Sequence, residues 1–308
     1  MQMGSQGRLF SRGKTHVKRT VPDSPIAETD FYDIIITRIN NKISGRARPC
    51  LGLRDLHLGR IDKMNKKKFK KALHFLGTGD AFSRHPNNAY FRPDAETLVF
   101  IDLDARNFMR AKREIERKVP KRIYVLITHM HNDHVSGIPT LAEWLRYRCP
   151  DYSDSLFICA PEMILVYMAK ELFEYRNLSD DMVTFVTTDA MCREEKSWLI
   201  SAIPTFHVGE HFEGLCYGYL LSIGFLRVLY SGDTRTLDPF LPVSCDEFYC
   251  DMSNFSGPDR PHVCWELDGE ALIKKAEDCD VYVMHMSREV REALKEEIEE
   301  AGLFIAKA

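Results

Sequence analysis

The run Thr128-His129-Met130-His131-Asn132-Asp133-His134, set directly behind the apolar stretch 122–128, constrains this chain more than any other feature. Four ligand-type side chains fall within six residues. In an extended segment residues i and i+2 point to the same side, so His129 and His131 can close on one cation. Where the chain turns into the following helix, Asp133 and His134 are offered to a second. Imidazole and carboxylate suit zinc and other borderline divalent ions. The bland alternative, surface histidines in a polar turn, would need this spacing to arise by chance at the end of a buried strand.

Around the cluster, apolar runs alternate with helical periodicity. Segments 73–76, 96–103, 122–128, 156–159, 183–187, 198–206, 217–223, 226–230, 248–250 and 281–284 read as strands. Segments 107–117, 137–147, 161–175, 269–277 and 289–301 read as helices, and Pro161 suits a helix start. Some strands follow one another as hairpins, and others are separated by helices. That pattern predicts an α/β protein with mixed sheets covered by helices. No linker divides 72–308, which is expected to be one catalytic domain. No internal repeat is visible.

Residues 1–71 differ in character: they hold 17 Lys and Arg against six Asp and Glu, a net +11, so the remainder carries −14 of the overall −3. This extension is expected to be basic and partly disordered. A basic leader can hold nucleic acid by its phosphates, although a solvated tail accounts for the charge equally simply. The first twenty residues contain no apolar core of a secretory signal, and no apolar run reaches the roughly 18 residues that span a bilayer. The nine cysteines show no paired spacing. Reduced, buried thiols in a cytoplasmic protein, without a membrane partner, are therefore expected.

Further ligand-type residues end other strands. His207 follows 199–206, Asp233 follows Leu229-Tyr230-Ser231-Gly232, and His285 follows 281–284. His211, four residues beyond His207, is an alternative to it. His74 reads as a core histidine. His85, Asn87 and Asn88 either line a pocket or form a polar loop.

At this point the chain resembles a known family. His129-Met130-His131-Asn132-Asp133-His134 matches the HxHxDH motif of the metallo-β-lactamase superfamily. His207, Tyr230-Ser231-Gly232-Asp233-Thr234 and His285-Met286-Ser287 follow in that family's order, and Leu76-Gly77-Thr78-Gly79-Asp80-Ala81-Phe82 is similar to the opening of its phosphodiesterase branch. That branch includes tRNA 3′-processing endonucleases and related cyclic-nucleotide phosphodiesterases. The resemblance implies an αββα sandwich, two mixed sheets between helices, over about 72–307. It also implies two divalent ions, zinc foremost with manganese or iron as alternatives. His129, His131 and His207 would hold one ion, Asp133, His134 and His285 the other, and Asp233 would bridge them.

The expected activity is that of a metal-dependent hydrolase, a phosphodiesterase that attacks a cyclic or other small nucleotide with a metal-activated hydroxide. Asp133 would orient the hydroxide, and the leaving oxygen needs a proton donor. The tRNA-processing relatives carry a His-Glu-Ala-Thr element where this chain has Cys250-Asp251-Met252-Ser253-Asn254, with no histidine. His262 is the replacement candidate, with an ordinary loop histidine as its alternative. Other readings remain: an RNA endo- or exonuclease, a hydrolase of a lactone, thioester or β-lactam, or a regulatory binding protein that keeps the fold. A homodimer is left open.

Overall fold

The computed structural model describes residues 71–308, apart from 150–154, 194–196, 208–214 and 258. The expectations for residues 1–70 and for His211 lie outside the described residues. In chain order the elements are β1 (His74–Gly77), β2 (Asn88–Phe91), β3 (Thr97–Ile101), α1 (Phe108–Arg117), β4 (Arg122–Leu126), α2 (Asn132–Val135), α3 (Ile138–Arg148), β5 (Leu156–Ala160), α4 (Met163–Tyr175) and β6 (Thr184–Thr187). They continue with α5 (Thr188–Arg193), β7 (Leu199–Thr205), β8 (Cys216–Ile223), β9 (Leu226–Tyr230), β10 (Glu247–Asp251), α6 (Trp265–Lys275), β11 (Asp280–Met284), α7 (Arg288–Glu300) and β12 (Phe304–Ile305).

Two six-stranded sheets result, ordered β1-β2-β3-β4-β5-β6 and β12-β11-β10-β9-β8-β7. Both follow one plan. The first three strands in chain order pair antiparallel, and the last three are added in parallel. The topology is therefore duplicated although the sequence shows no repeat, because strand direction depends on connections and not on side-chain identity. Strand alternation sorts the side chains into layers. Leu98, Phe100, Ile123 and Val125 face a core beneath α1, α3 and α4, whereas Val99, Ile101, Tyr124 and Leu126 face the opposite sheet. In the second sheet Tyr282 and Met284 face inward, and Val281 and Val283 pack beneath α6 and α7. This is the expected αββα sandwich of two mixed sheets between helices.

Most expected elements differ from the observed ones by one to four residues at their ends. Other differences are larger, and short α2 and β12 are additions to the expected set. Residues 88–91 form β2, which the polar pair Asn87-Asn88 hides, and α5 was not foreseen. His74, expected in the core, is exposed and stacks on Tyr90, because it opens β1 at the sheet edge.

Candidate metal centre

The ligand-type residues gather because strands end at one rim. β4 delivers His129, β7 delivers His207, β9 delivers Asp233 through a tight turn, and β11 delivers His285. The carboxyl ends of strands in layered α/β proteins form such clefts. Gly232 is needed in the β9 turn: its φ is +62°, and an added Cβ would lie 2.5 Å from the Tyr217 carbonyl oxygen. Asp102 (φ 60°) and His285 (φ 59°) are two of the three non-glycine residues with positive φ among those described. Such conformations cost on the order of 1–3 kcal/mol and persist where the surrounding structure over-determines them.

Two groups of ligand atoms form. His129, His131 and His207 present ring nitrogens within 4.8 Å of one another, and Asp133, His134, Asp233 and His285 bring carboxylate oxygens and ring nitrogens equally close. Asp233 stands between them. Its Oδ2 lies 3.9 Å from His129 Nε2 and 3.7 Å from His207 Nε2, and 3.3 and 3.4 Å from the Nε2 atoms of His134 and His285. Asp133 Oδ2 is 3.1 Å from His134 Nε2 and 3.5 Å from His285 Nε2. All seven residues of the expected ligand set thus lie in one buried cluster, with His131 alone among them half-buried.

The hydrogen bonds behind the rings fix which nitrogens face inward. Thr128 Oγ1 donates to Asp102 Oδ2, so at 3.0 Å it accepts from His129 Nδ1 and leaves His129 Nε2 as a lone pair. His207 Nδ1 donates to the Pro261 carbonyl at 2.7 Å, so its Nε2 is also a lone pair. Both lone pairs point at His131 Nδ1, at 2.9 and 3.2 Å. His134 Nδ1 donates to Asp102 Oδ2 at 2.8 Å, which turns its Nε2 toward the Asp133 and Asp233 carboxylates. His134 Nε2 and Asp233 Oδ1 are buried without a hydrogen-bond partner. A single proton on His131 Nδ1 serves only one of those lone pairs at a time, and the Asp133 and Asp233 carboxylates add negative charge beside them, so the convergence suits bound positive charge. This donor set therefore fits divalent metal ions, and the outer carboxylates and carbonyl set ring orientation as metal-bound histidines require.

The charges agree. Burial and the neighbouring His134 hold His129 well below its ordinary pKa, burial lowers His131, and burial takes His207 to about 4. These three are neutral and ready to ligate. Burial opposes protonation of His134 and His285 as well, yet Asp233 and its fellow carboxylates raise both well above the usual histidine value. Burial likewise opposes ionisation of Asp233, and His134 and His285 override it. The second group thus holds excess negative charge that protons or metal can balance.

His262 stands beside the ligands. Its Nδ1 is 2.7 Å from Asp251 Oδ2, and its ring contacts those of His207 and His285 at 4.8 Å each. Asp251 is fully buried, accepts from the Thr234 backbone N–H at 2.9 Å, and brings Oδ1 to 3.2 Å from His285 Nδ1. Burial counts against a charged His262, but Asp251 raises its pKa. His262 lies in the loop between β10 and α6, which carries it to the rim of the cluster.

Sequence reasoning missed Asp102 and Asp251. The signal was present, since each carboxylate closes an apolar strand as Asp233 does. Asn87 and Asn88 brace the rim: Asn88 Nδ2 donates to the Asp133 carbonyl at 3.1 Å and Asn87 Nδ2 to Tyr230 Oη at 2.7 Å. His85 lies 3.2 Å from Asn107 Oδ1, at the start of α1.

Comparison with known proteins places this arrangement. The structure is similar to a metallo-β-lactamase-fold protein, YhfI from Bacillus subtilis, with a TM-score of 0.57 at 15% identity over 77% of this chain and 95% of that one. It is similar to a diphosphatase from the PhnP family (TM-score 0.53, 18% identity, 76% of this chain and 94% of that one). It is also similar to Zn(2+)-bound PqqB from Methylobacterium extorquens (TM-score 0.50, 15% identity, 76% and 96%). At these identities the likeness establishes the metallo-β-lactamase fold. No curated protein matches the sequence. The model of the family described as Anti-Pycsar protein Apyc1 matches residues 71–253, which include the HxHxDH cluster, Asp233 and Asp251 but neither His262 nor His285. Because that match spans more than half of the chain, the protein belongs to the Anti-Pycsar protein Apyc1 family.

Proposed function

We propose that this protein is a binuclear metal-dependent phosphodiesterase whose substrate is a cyclic or other small nucleotide. His129, His131 and His207 would hold one divalent ion, zinc foremost, and Asp133, His134 and His285 a second, with Asp233 shared. Such ions, when bound, supply Lewis acidity toward a phosphoryl oxygen and lower the pKa of water. The chain's own residues do the rest. Asp102, Thr128 and the Pro261 carbonyl keep the ligand rings in register. Asp133 offers a carboxylate oxygen that orients the attacking water.

The observation that carries the phosphodiester reading is His262 on Asp251. A phosphodiester expels an alkoxide, a strong base that gains from a positioned acid. His262 has one nitrogen held by Asp251 and a ring nitrogen within 4.8 Å of ligand atoms of His207 and Asp233. Its raised pKa keeps the proton available. An ester with a good leaving group has less need of this donor.

The test is metal analysis of purified protein followed by turnover of a cyclic mononucleotide, a pre-tRNA, a generic phosphodiester and a thioester. The reading expects two divalent ions per chain and preference for the cyclic mononucleotide. Protein never exposed to chelator that holds no transition metal would defeat the centre. Preference for pre-tRNA would transfer the function to RNA processing.

A further inference from the structure

Two thiols far from the metal centre stand as a pair. Cys245 precedes β10 and Cys279 precedes β11. These strands are parallel neighbours with Glu247 opposite Asp280, and the Asp280 N–H donates to the Asp246 carbonyl at 2.9 Å. The register sets Cys279 beside the 245–246 backbone, where adjacent strands lie about 4.8 Å apart. Disulfides bridge Cα atoms about 4.4–6.8 Å apart, so no strand need move far. The two side chains meet in the same core beneath α6 and α7.

Their surroundings divide the roles. Cys279 is 9% exposed and directs its sulfur at the Lys275 carbonyl, 3.5 Å away. Cys245 is half-buried and open to a small reagent. The Lys275 side chain is buried beside them, its Nζ donating to the carbonyls of Leu241 at 2.9 Å and Val243 at 2.6 Å. The neighbouring Cys279 and the Lys275 ammonium lower the Cys245 thiol pKa against the effect of burial, whereas Cys245 and burial push Cys279 up. A more acidic, accessible thiol next to a less acidic, buried one is the arrangement of an attacking and a resolving cysteine.

We infer that Cys245 and Cys279 form a reversible intrachain disulfide, a redox modification site about 20 Å along β10 from the metal centre, with a hydroperoxide as oxidant. The Cys245 thiolate attacks the terminal peroxide oxygen. The O–O bond breaks, leaving Cys245 as a sulfenic acid and releasing hydroxide, or alkoxide, that takes up a proton. The Cys279 sulfur then displaces the sulfenic oxygen as water, forming the S–S bond. Two thiols lose two electrons and the peroxide gains them. A thiol reductant returns both cysteines.

The test treats reduced, metal-loaded, full-length protein with stoichiometric hydrogen peroxide, then alkylates it and maps its peptides by mass. The expected result is a linked Cys245–Cys279 peptide lighter by two hydrogens, restored by dithiothreitol, while half-buried Cys149 remains free. Cys279→Ser should leave Cys245 as a sulfenic acid that dimedone traps, and Cys245→Ser should leave Cys279 reduced. Both thiols remaining free while Cys149 oxidises, or Cys245 linking two chains, would overturn the inference. The wild-type peptide map stands without the variants, so a variant that fails to fold does not remove the test.

Discussion

Replacing Asp251 by asparagine tests whether one buried carboxylate organises both the proton donor and a ligand. Asp251 Oδ2 accepts from His262 Nδ1 at 2.7 Å and from the Thr234 N–H at 2.9 Å, and Oδ1 sits 3.2 Å from His285 Nδ1. An amide of the same shape keeps one acceptor and turns a donor to the other side. With its oxygen on His262 and Thr234, the amide NH2 faces His285 Nδ1 and favours the proton on His285 Nε2, the nitrogen that faces Asp133 and Asp233. With the amide reversed, His262 and the Thr234 N–H lose their acceptor. Either orientation loses a close contact between the carboxylate and a histidine, comparable to a hydrogen bond to a charged group at about 1.5–3 kcal/mol, which converts to a roughly 10- to 150-fold loss of rate. The assay is kcat/KM on a cyclic nucleotide and on a nitrophenyl diester, with bound metal and the thermal transition measured on the same preparation. A loss confined to the cyclic nucleotide marks His262 as the affected partner, and a loss on both with reduced metal content marks His285. A folded, metal-loaded variant with wild-type rates on both esters would refute the reasoning.

Asp233→Ala should abolish turnover and lower metal content below two ions per chain, read by elemental analysis, because both ligand groups share its carboxylate; near-normal activity would remove Asp233 from the centre. His262→Ala should keep its metal and lose about 10²- to 10⁴-fold on the cyclic nucleotide, with a smaller loss on a nitrophenyl ester; an equal loss on both would indicate positioning in place of proton donation. Gly232→Ala should lower the thermal midpoint by several degrees, since it combines a left-handed residue with a Cβ 2.5 Å from the Tyr217 carbonyl and costs at least about 1–3 kcal/mol; an unchanged midpoint would mean that the β9 turn relaxes freely.

Local order was open to reading in the chain. The period-two runs at 97–101 and 280–284 carry apolar residues on both faces, as strands covered on both sides must, and the crowding of ligand types at 129–134 announces a cation site without reference to distant contacts. Strand-end position also singled out His207, Asp233 and His285. Four-residue β2 was not readable, because Asn87 and Asn88 make it look like a loop. Their polar groups find their partners mostly in other parts of the chain, on Tyr230, Met284, the Asp133 carbonyl, the Asp104 N–H and Asn107. His74 was misplaced for the complementary reason: whether a strand's first residue is covered depends on what lies across the edge.

The sequence by itself determined the chemical identity of the centre, since imidazole and carboxylate types and their HxHxDH spacing are local properties that survive any arrangement of the rest. Only the tertiary structure decided how those groups are held. Asp102 and Asp251 lie 32 and 34 residues from His134 and His285, and their function exists only once β3 and β10 end at the same rim. The tautomer of each ring, the sharing of Asp233 and the pairing of His262 with Asp251 are all consequences of that convergence. Hydrogen bonds and charges act over a few ångströms in space, and separation along the chain does not report those distances.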